Sequence, residues 1–232
     1  VDADNYRRTV VDMAINAITF ADAGSRVVIP ARADGPDGVL TEVTDFGPGL
    51  PPEALNDLFN RFTQGASAKQ TDSKGFGLGL SIVKDLARIN LGRVTVQGVL
   101  GEGSTFAFTT PRADPVCALD ASLGLTRERS PHATITCLRV SSNDRSLVGA
   151  DLYARVSGEC HATDVLWMDA DGDSVLAIGE TGESDAWLNR LRDCPGAPDS
   201  LSIRMLGQWP VDEARAAILE LLLSTSERLA HA

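Results

Sequence analysis

Two glycine clusters, Asp45-Phe46-Gly47-Pro48-Gly49-Leu50 and Gly75-Phe76-Gly77-Leu78-Gly79-Leu80, most restrict what this chain can fold into. The first follows a strand-like run and the second opens a helix-like run. Glycines at a strand's end let backbone come close to a flat ligand, and a buried carboxylate at Asp45 can accept from an exocyclic amine. Glycines at a helix head leave unpaired N–H groups and the positive dipole end facing an anion such as phosphate. Ahead of both stands Asp12-Met13-Ala14-Ile15-Asn16-Ala17, where Asp12 and Asn16 share one helix face at i and i+4. An Asn oxygen there is a neutral ligand suited to Mg²⁺, which favours sparse oxygen sites completed by phosphate and water. A Gly-x-Gly-x-Gly run alone would equally suit a dinucleotide. No βαβ unit with an acidic residue about twenty positions on follows it, so that reading fails on context.

The elements around these motifs alternate. Tyr6, Val10, Met13, Ala14, Ala17 and Ile18 predict a helix over Asp4–Ala21. Arg26–Ala31 and Val39–Val43 read as strands about the turn Asp34–Gly38, and Glu53–Phe62 as a short helix after Pro51-Pro52. Thr63–Lys74 is polar and aperiodic, a mobile loop by composition. A helix over Leu78–Asn90 and a hairpin of Arg93–Val99 with Ser104–Thr110 close this half. The expectation is an α/β sandwich with helices on one face of a mixed sheet. Residues 113–131, with two prolines and no clear period, are read as a linker between domains at 1–112 and 132–232.

Composition narrows the partners. A net charge of −11 argues against nucleic acid and anionic membrane surfaces. No apolar run approaches the ~20 residues that span a bilayer, and nothing resembles a signal peptide. Cys117, Cys137, Cys160 and Cys194 are widely spaced and read as thiols in a reducing cytoplasm. All three lysines, Lys69, Lys74 and Lys84, fall within sixteen residues, whereas the eighteen arginines are dispersed. A compact ammonium that swings toward a phosphate gives that cluster a purpose.

In order and spacing, these pieces resemble the ATP-binding domain of sensor histidine kinases, whose fold is shared with gyrase, Hsp90 and MutL-type ATPases. The resemblance runs over residues 1–112. It matches an N box (Asp12 to Asn16, then Phe20), a G1 box (Asp45, Gly47, Gly49), an F box (Phe59, Phe62), a G2 box (Gly75, Gly77, Gly79) and a closing Gly101–Phe106 hairpin. It implies that Asn16 coordinates Mg²⁺, that Asp45 accepts from the adenine amine, and that Gly47, Gly49 and Leu50 shape the base pocket. Gly75, Gly77, Leu78, Gly79 and Leu80 would cradle phosphate, with Thr63–Lys74 as a lid and Lys69 or Lys74 meeting the γ-phosphate. Thr105 would contact the base, and Phe59 and Phe62 would pack beneath the lid. Two departures bear on chemistry. Asp12 stands where the family has Asn or Glu, and Thr19 where it often has a basic residue.

The resemblance implies ATP-dependent transfer of the γ-phosphate to a histidine. No histidine precedes His132, so the acceptor would lie outside this chain, on dimerisation helices of a longer, homodimeric protein, cytoplasmic here and with room for a membrane anchor elsewhere, that passes the phosphate to a response regulator. The rival readings are an ATP-responsive binding module with little turnover and an anti-sigma-type serine kinase. The F box and the long small-residue lid favour the histidine kinase.

The second half predicts β-α-β-β-α-β-α, a ferredoxin-like order. Its elements are Thr134–Val140, Leu147–Gly158, Asp164–Met168, Val175–Ile178, Ser184–Asp193, Leu201–Leu206 and Val211–Leu229. Asp169–Asp173 reads as a hairpin turn, because the glutamate and further ligands of a calcium loop are missing. The order also resembles a GGDEF nucleotide cyclase domain with its signature replaced by Ala170-Asp171-Gly172-Asp173-Ser174, which implies a regulatory or protein-binding role; a degenerate receiver domain is the alternative.

Overall fold

A computed structural model describes residues 2–55, 58–59, 79–143, 147–161, 163–169, 171–181, 189 and 201–229. The chain divides into two compact units, Val1–Cys117 and Ala118–Ala232.

The first unit opens with α1 (Ala3–Phe20), capped by Asp2, whose carboxylate accepts from the backbone N–H groups of Asp4 and Asn5 at 2.9 Å. Strands β1 (Ala31–Asp34) and β2 (Gly38–Asp45) follow, then the short α2 (Pro52–Leu55), α3 (Gly79–Ile89), β3 (Val94–Val99) and β4 (Gly103–Pro111). The sheet order is β1-β2-β4-β3 with every pair antiparallel, where a mixed sheet was expected. The helical crossover from β2 returns to β3 two places away, and β4 fills the gap running against both.

The first strand also lies later than the sequence pattern suggests. Val28 makes only an isolated bridge with Thr44, and the ladder resumes at Ala31. Pro30 between them has no N–H to donate and interrupts the pairing. Helices α1 and α3 cover one sheet face. Met13, Ala17, Val43, Val83, Ala87, Phe106 and Phe108 form the core there, with Tyr6, Val10, Leu50, Phe59 and Leu80 packed around it. Tyr6 tilts against Phe108, ring centroids 5.1 Å apart, and its hydroxyl meets that of Thr41 at 2.7 Å. Truncating Phe108 to alanine in such a core costs about 3–5 kcal/mol.

The stretch read as a linker is a helix, α4 (Pro115–Arg129). Asp114 caps it, accepting from Val116 at 2.9 Å and Cys117 at 3.1 Å, and the Cys117 N–H above all holds this carboxyl below its usual range. Its buried positions are Leu119, Ser122, Leu123 and Thr126, spaced as a helix stripe but half of them hydroxyls. Hydropathy therefore shows no period. Ser122 justifies its burial by donating to the Thr163 carbonyl at 2.7 Å.

The second unit continues with β5 (Thr134–Ser142), α5 (Gly149–Glu159), β6 (Val165–Met168), β7 (Ser174–Thr181), β8 (Leu201–Pro210) and α6 (Val211–Leu229). Apart from Asn189, the helix predicted over Ser184–Asp193 lies outside the described residues. The sheet runs β6-β7-β5-β8, all antiparallel. Each long connection joins parallel strands two places apart with an antiparallel strand between them, which is the ferredoxin-like arrangement. A receiver domain has a parallel, doubly wound sheet, so that alternative is corrected. Between β6 and β7 the described residues Asp169, Asp171, Gly172 and Asp173 belong to a hairpin turn, with Gly172 at φ 72° and the Asp169 N–H donating to the Ser174 carbonyl at 2.9 Å. Leu138, Val140, Val175 and Ala177 meet Leu152 and Val156 of α5 in one core cluster. Ion pairs Arg127–Asp212 and Arg215–Asp120, both at 2.6 Å, tie α4 to α6.

Candidate functional site

Helix α1 sets the first wall. Met13 and Ala17 point into the core, so Asp12 and Asn16 fall together on a half-buried flank. The Asp12 carboxylate lies 3.7 Å from Arg8 Nε, one helical turn back, in a loose ion pair. Thr19, which stands where a basic residue was expected from the resemblance, turns its hydroxyl onto the Ile15 carbonyl at 2.7 Å. Among the described residues no group of three His, Cys, Asp or Glu side chains converges. The donor set on this flank is one amide and one carboxylate, which fits a magnesium ion held mostly by phosphate and water and not a closed protein cage.

The second wall is the end of β2. Thr41, Val43 and Asp45 alternate onto the buried, helix-facing side, leaving Asp45 3% exposed. Its Oδ1 accepts from the Gly47 N–H at 3.0 Å, closing a local turn that leaves the second carboxylate oxygen for another partner. The glycines of this loop answer first to the protein itself. A Cβ on Gly47 would collide with the Phe20 carbonyl at the end of α1, and one on Gly49 (φ 71°) with the Val99 carbonyl. Close backbone packing thus demands glycine here whatever is bound. Gly79, the first residue of α3, differs: among the described residues an added Cβ there would meet nothing within 4 Å, so packing does not demand its glycine.

The closing hairpin carries a correction. Thr105 pairs in register with Thr44, and their hydroxyls bond at 2.9 Å. Thr44 and Asp45 are adjacent in one strand, so their side chains leave opposite faces. Thr105 therefore lies across the sheet from Asp45. The residue that faces Asp45 is its register partner Ser104, 7% exposed. Sequence reasoning missed Ser104, although period-two counting from Asp45 across an antiparallel hairpin would have found it.

Phe59, Leu50 and Leu80 are partly buried against the first unit's core, which accounts for Phe59 by packing. Lys69, Lys74, Gly75, Gly77, Leu78, Phe62 and the lid over 63–74 lie outside the described residues. The structure thus brings together Asp12 and Asn16 on α1, and Asp45, Gly47, Gly49 and Leu50 against α1's end and the hairpin.

Residues 1–114 match the family described as histidine kinase-, DNA gyrase B-, and HSP90-like ATPase. That match spans the sandwich described above. Sensor histidine kinase TmoS of Ectopseudomonas mendocina is 31% identical over 131 residues, covering 56% of this chain and 14% of the relative. Sensor histidine kinase AruS of Pseudomonas aeruginosa is 37% identical over 131 residues, 50% of this chain and 13% of the relative. The adaptive-response sensory kinase SasA of Synechococcus elongatus is 31% identical over 110 residues, 47% of this chain and 28% of the relative. The matched stretch is thus less than a third of each of these curated relatives.

Proposed function

We propose that the first unit binds Mg·ATP and serves as the catalytic part of a sensor histidine kinase. The observation that carries this reading is the buried Asp45, turned by Gly47, with Ser104 opposite and the end of α1 behind it. A carboxylate and a hydroxyl at the end of a sheet, edged by apolar Leu50, suit a purine with an exocyclic amine. Asn16 would hold the metal, and the ion would neutralise phosphate charge. The N–H groups at the head of α3, which starts at Gly79, would face the phosphates. Phosphoryl transfer asks little of the protein beyond positioning and charge stabilisation. The acceptor histidine and the response regulator would be supplied by segments outside this chain. Replacing Asp45 by Asn keeps the shape but turns an acceptor into a donor, and should reduce the preference for ATP over GTP by about tenfold, the worth of one hydrogen bond to a charged group. Calorimetric titration with both nucleotides checks it, and an unchanged preference refutes the role of Asp45.

A second reading, an ATP-responsive module with slow turnover, is favoured by two details of α1. Asp12 is engaged by Arg8, and the Thr19 hydroxyl is spent on its own helix. Both leave binding intact and weaken the chemistry. The second unit we read as a regulatory or protein-contact domain of degenerate cyclase type, since its first strand ends in Ser141 and Ser142, not carboxylates. It should make no cyclic di-GMP from GTP, and detectable product by chromatography would overturn that assignment.

A further inference from the structure

Arg26 is a surface residue to which no motif assigns a part. Its guanidinium carbon lies 5.2 Å from the centroid of the Phe46 ring, over the ring face. Phe46 is the residue between Asp45 and Gly47, so it occupies the tip of the turn that aims the Asp45 carboxylate. The backbone of this turn is confined from two sides already. The Phe20 carbonyl stands behind Gly47, and the Asp45 carbonyl and Phe46 Cα lie so near Gly103 (φ 111°) that a Cβ there would collide with them. The ring itself is 38% exposed, and the cation above it is the third restraint.

We propose that Arg26 is a positioning residue of the nucleotide site, holding Phe46 and through it the Asp45–Gly47 turn in the geometry that receives the base. This rests on the nucleotide reading above and adds a residue to it. A guanidinium stacked on an aromatic ring at an exposed place is worth about two- to fivefold in an equilibrium. The planar fork matters, because an ammonium stacks less well and an aliphatic stem does not attract the ring quadrupole.

The test is a titration of the full chain with ATP and, separately, with adenosine. Arg26→Met should weaken both by the same factor, about two- to fivefold, because the base site is what loosens. Arg26→Lys should recover part of the loss. In a Phe46→Leu background, Arg26→Met should change neither affinity further, which separates coupling through the ring from general destabilisation. A loss confined to ATP would make Arg26 a phosphate contact and overturn the proposal, as would unchanged affinities or full additivity with Phe46→Leu. If the unsubstituted chain binds neither ligand, the nucleotide reading has failed and the proposal falls with it. If it binds both and only Arg26→Met is silent, the positioning role alone is wrong.

Discussion

Ser104 and Thr105 are neighbours whose hydroxyls should have opposite consequences, because a β-strand sends them to opposite faces. Ser104 faces the buried Asp45 across the β2–β4 ladder, whereas Thr105 bonds Thr44 on the other side at 2.9 Å. Removing the Ser104 hydroxyl by Ser104→Ala takes away one polar group beside the carboxylate proposed to read the base. A hydrogen bond to a neutral partner contributes about 0.5–1.5 kcal/mol, so ATP should bind about two- to thirteenfold more weakly. Thr105→Val keeps the shape and β-branching but breaks the hydroxyl pair, leaving the Thr44 hydroxyl to a half-buried, partly wet site. That should cost about 0.5–1.5 kcal/mol of folding stability and leave ATP affinity unchanged. Calorimetry with ATP and urea unfolding of both variants give the four numbers needed. A Thr105→Val chain that loses ATP affinity while Ser104→Ala keeps it would refute the argument from sheet faces. Equal affinity losses in both would place the base over neither face as drawn.

Two further outcomes are expected. Asn16→Ala should leave Mg²⁺-free nucleotide binding nearly intact and abolish the gain on adding Mg²⁺; a preserved magnesium dependence in the same titration would remove Asn16 from the metal site. Cys137 is buried, and burial pushes its thiol up from 9.0 to about 11, against a smaller lowering from Arg139. It should therefore resist alkylation at pH 8 in the folded chain and react only on unfolding. Since its folded pKa exceeds the unfolded one, the associated stability is complete below about pH 9 and fades as the pH rises toward 11. Rapid labelling of Cys137 in the native state, read by mass spectrometry, would contradict this.

Particular elements show why some of this was legible in the chain and some was not. Helix α1 was, because Tyr6, Val10, Met13 and Ala17 are spaced for one face and Asp2 caps its start. Helix α4 was not, because its buried seam mixes Leu119 and Leu123 with Ser122 and Thr126, and the value of those hydroxyls depends on partners such as Thr163, 41 residues further along. The break at Pro30 was readable as chemistry but not as a register, since only pairing with β2 shows where the ladder resumes.

The sequence by itself determined the order of the motifs, the residues proposed to hold a nucleotide and metal, and the β-α-β-β pattern of the second half. These depend on local spacing, which periodicity and glycine chemistry express along the chain. Tertiary structure alone decided which strand lies beside which, and hence that the sheets are antiparallel with orders β1-β2-β4-β3 and β6-β7-β5-β8. It also decided that Ser104, not Thr105, faces Asp45, and that Arg26 covers Phe46. Such facts arise largely between residues distant in the chain, where the choice of face is set by packing that no local pattern records.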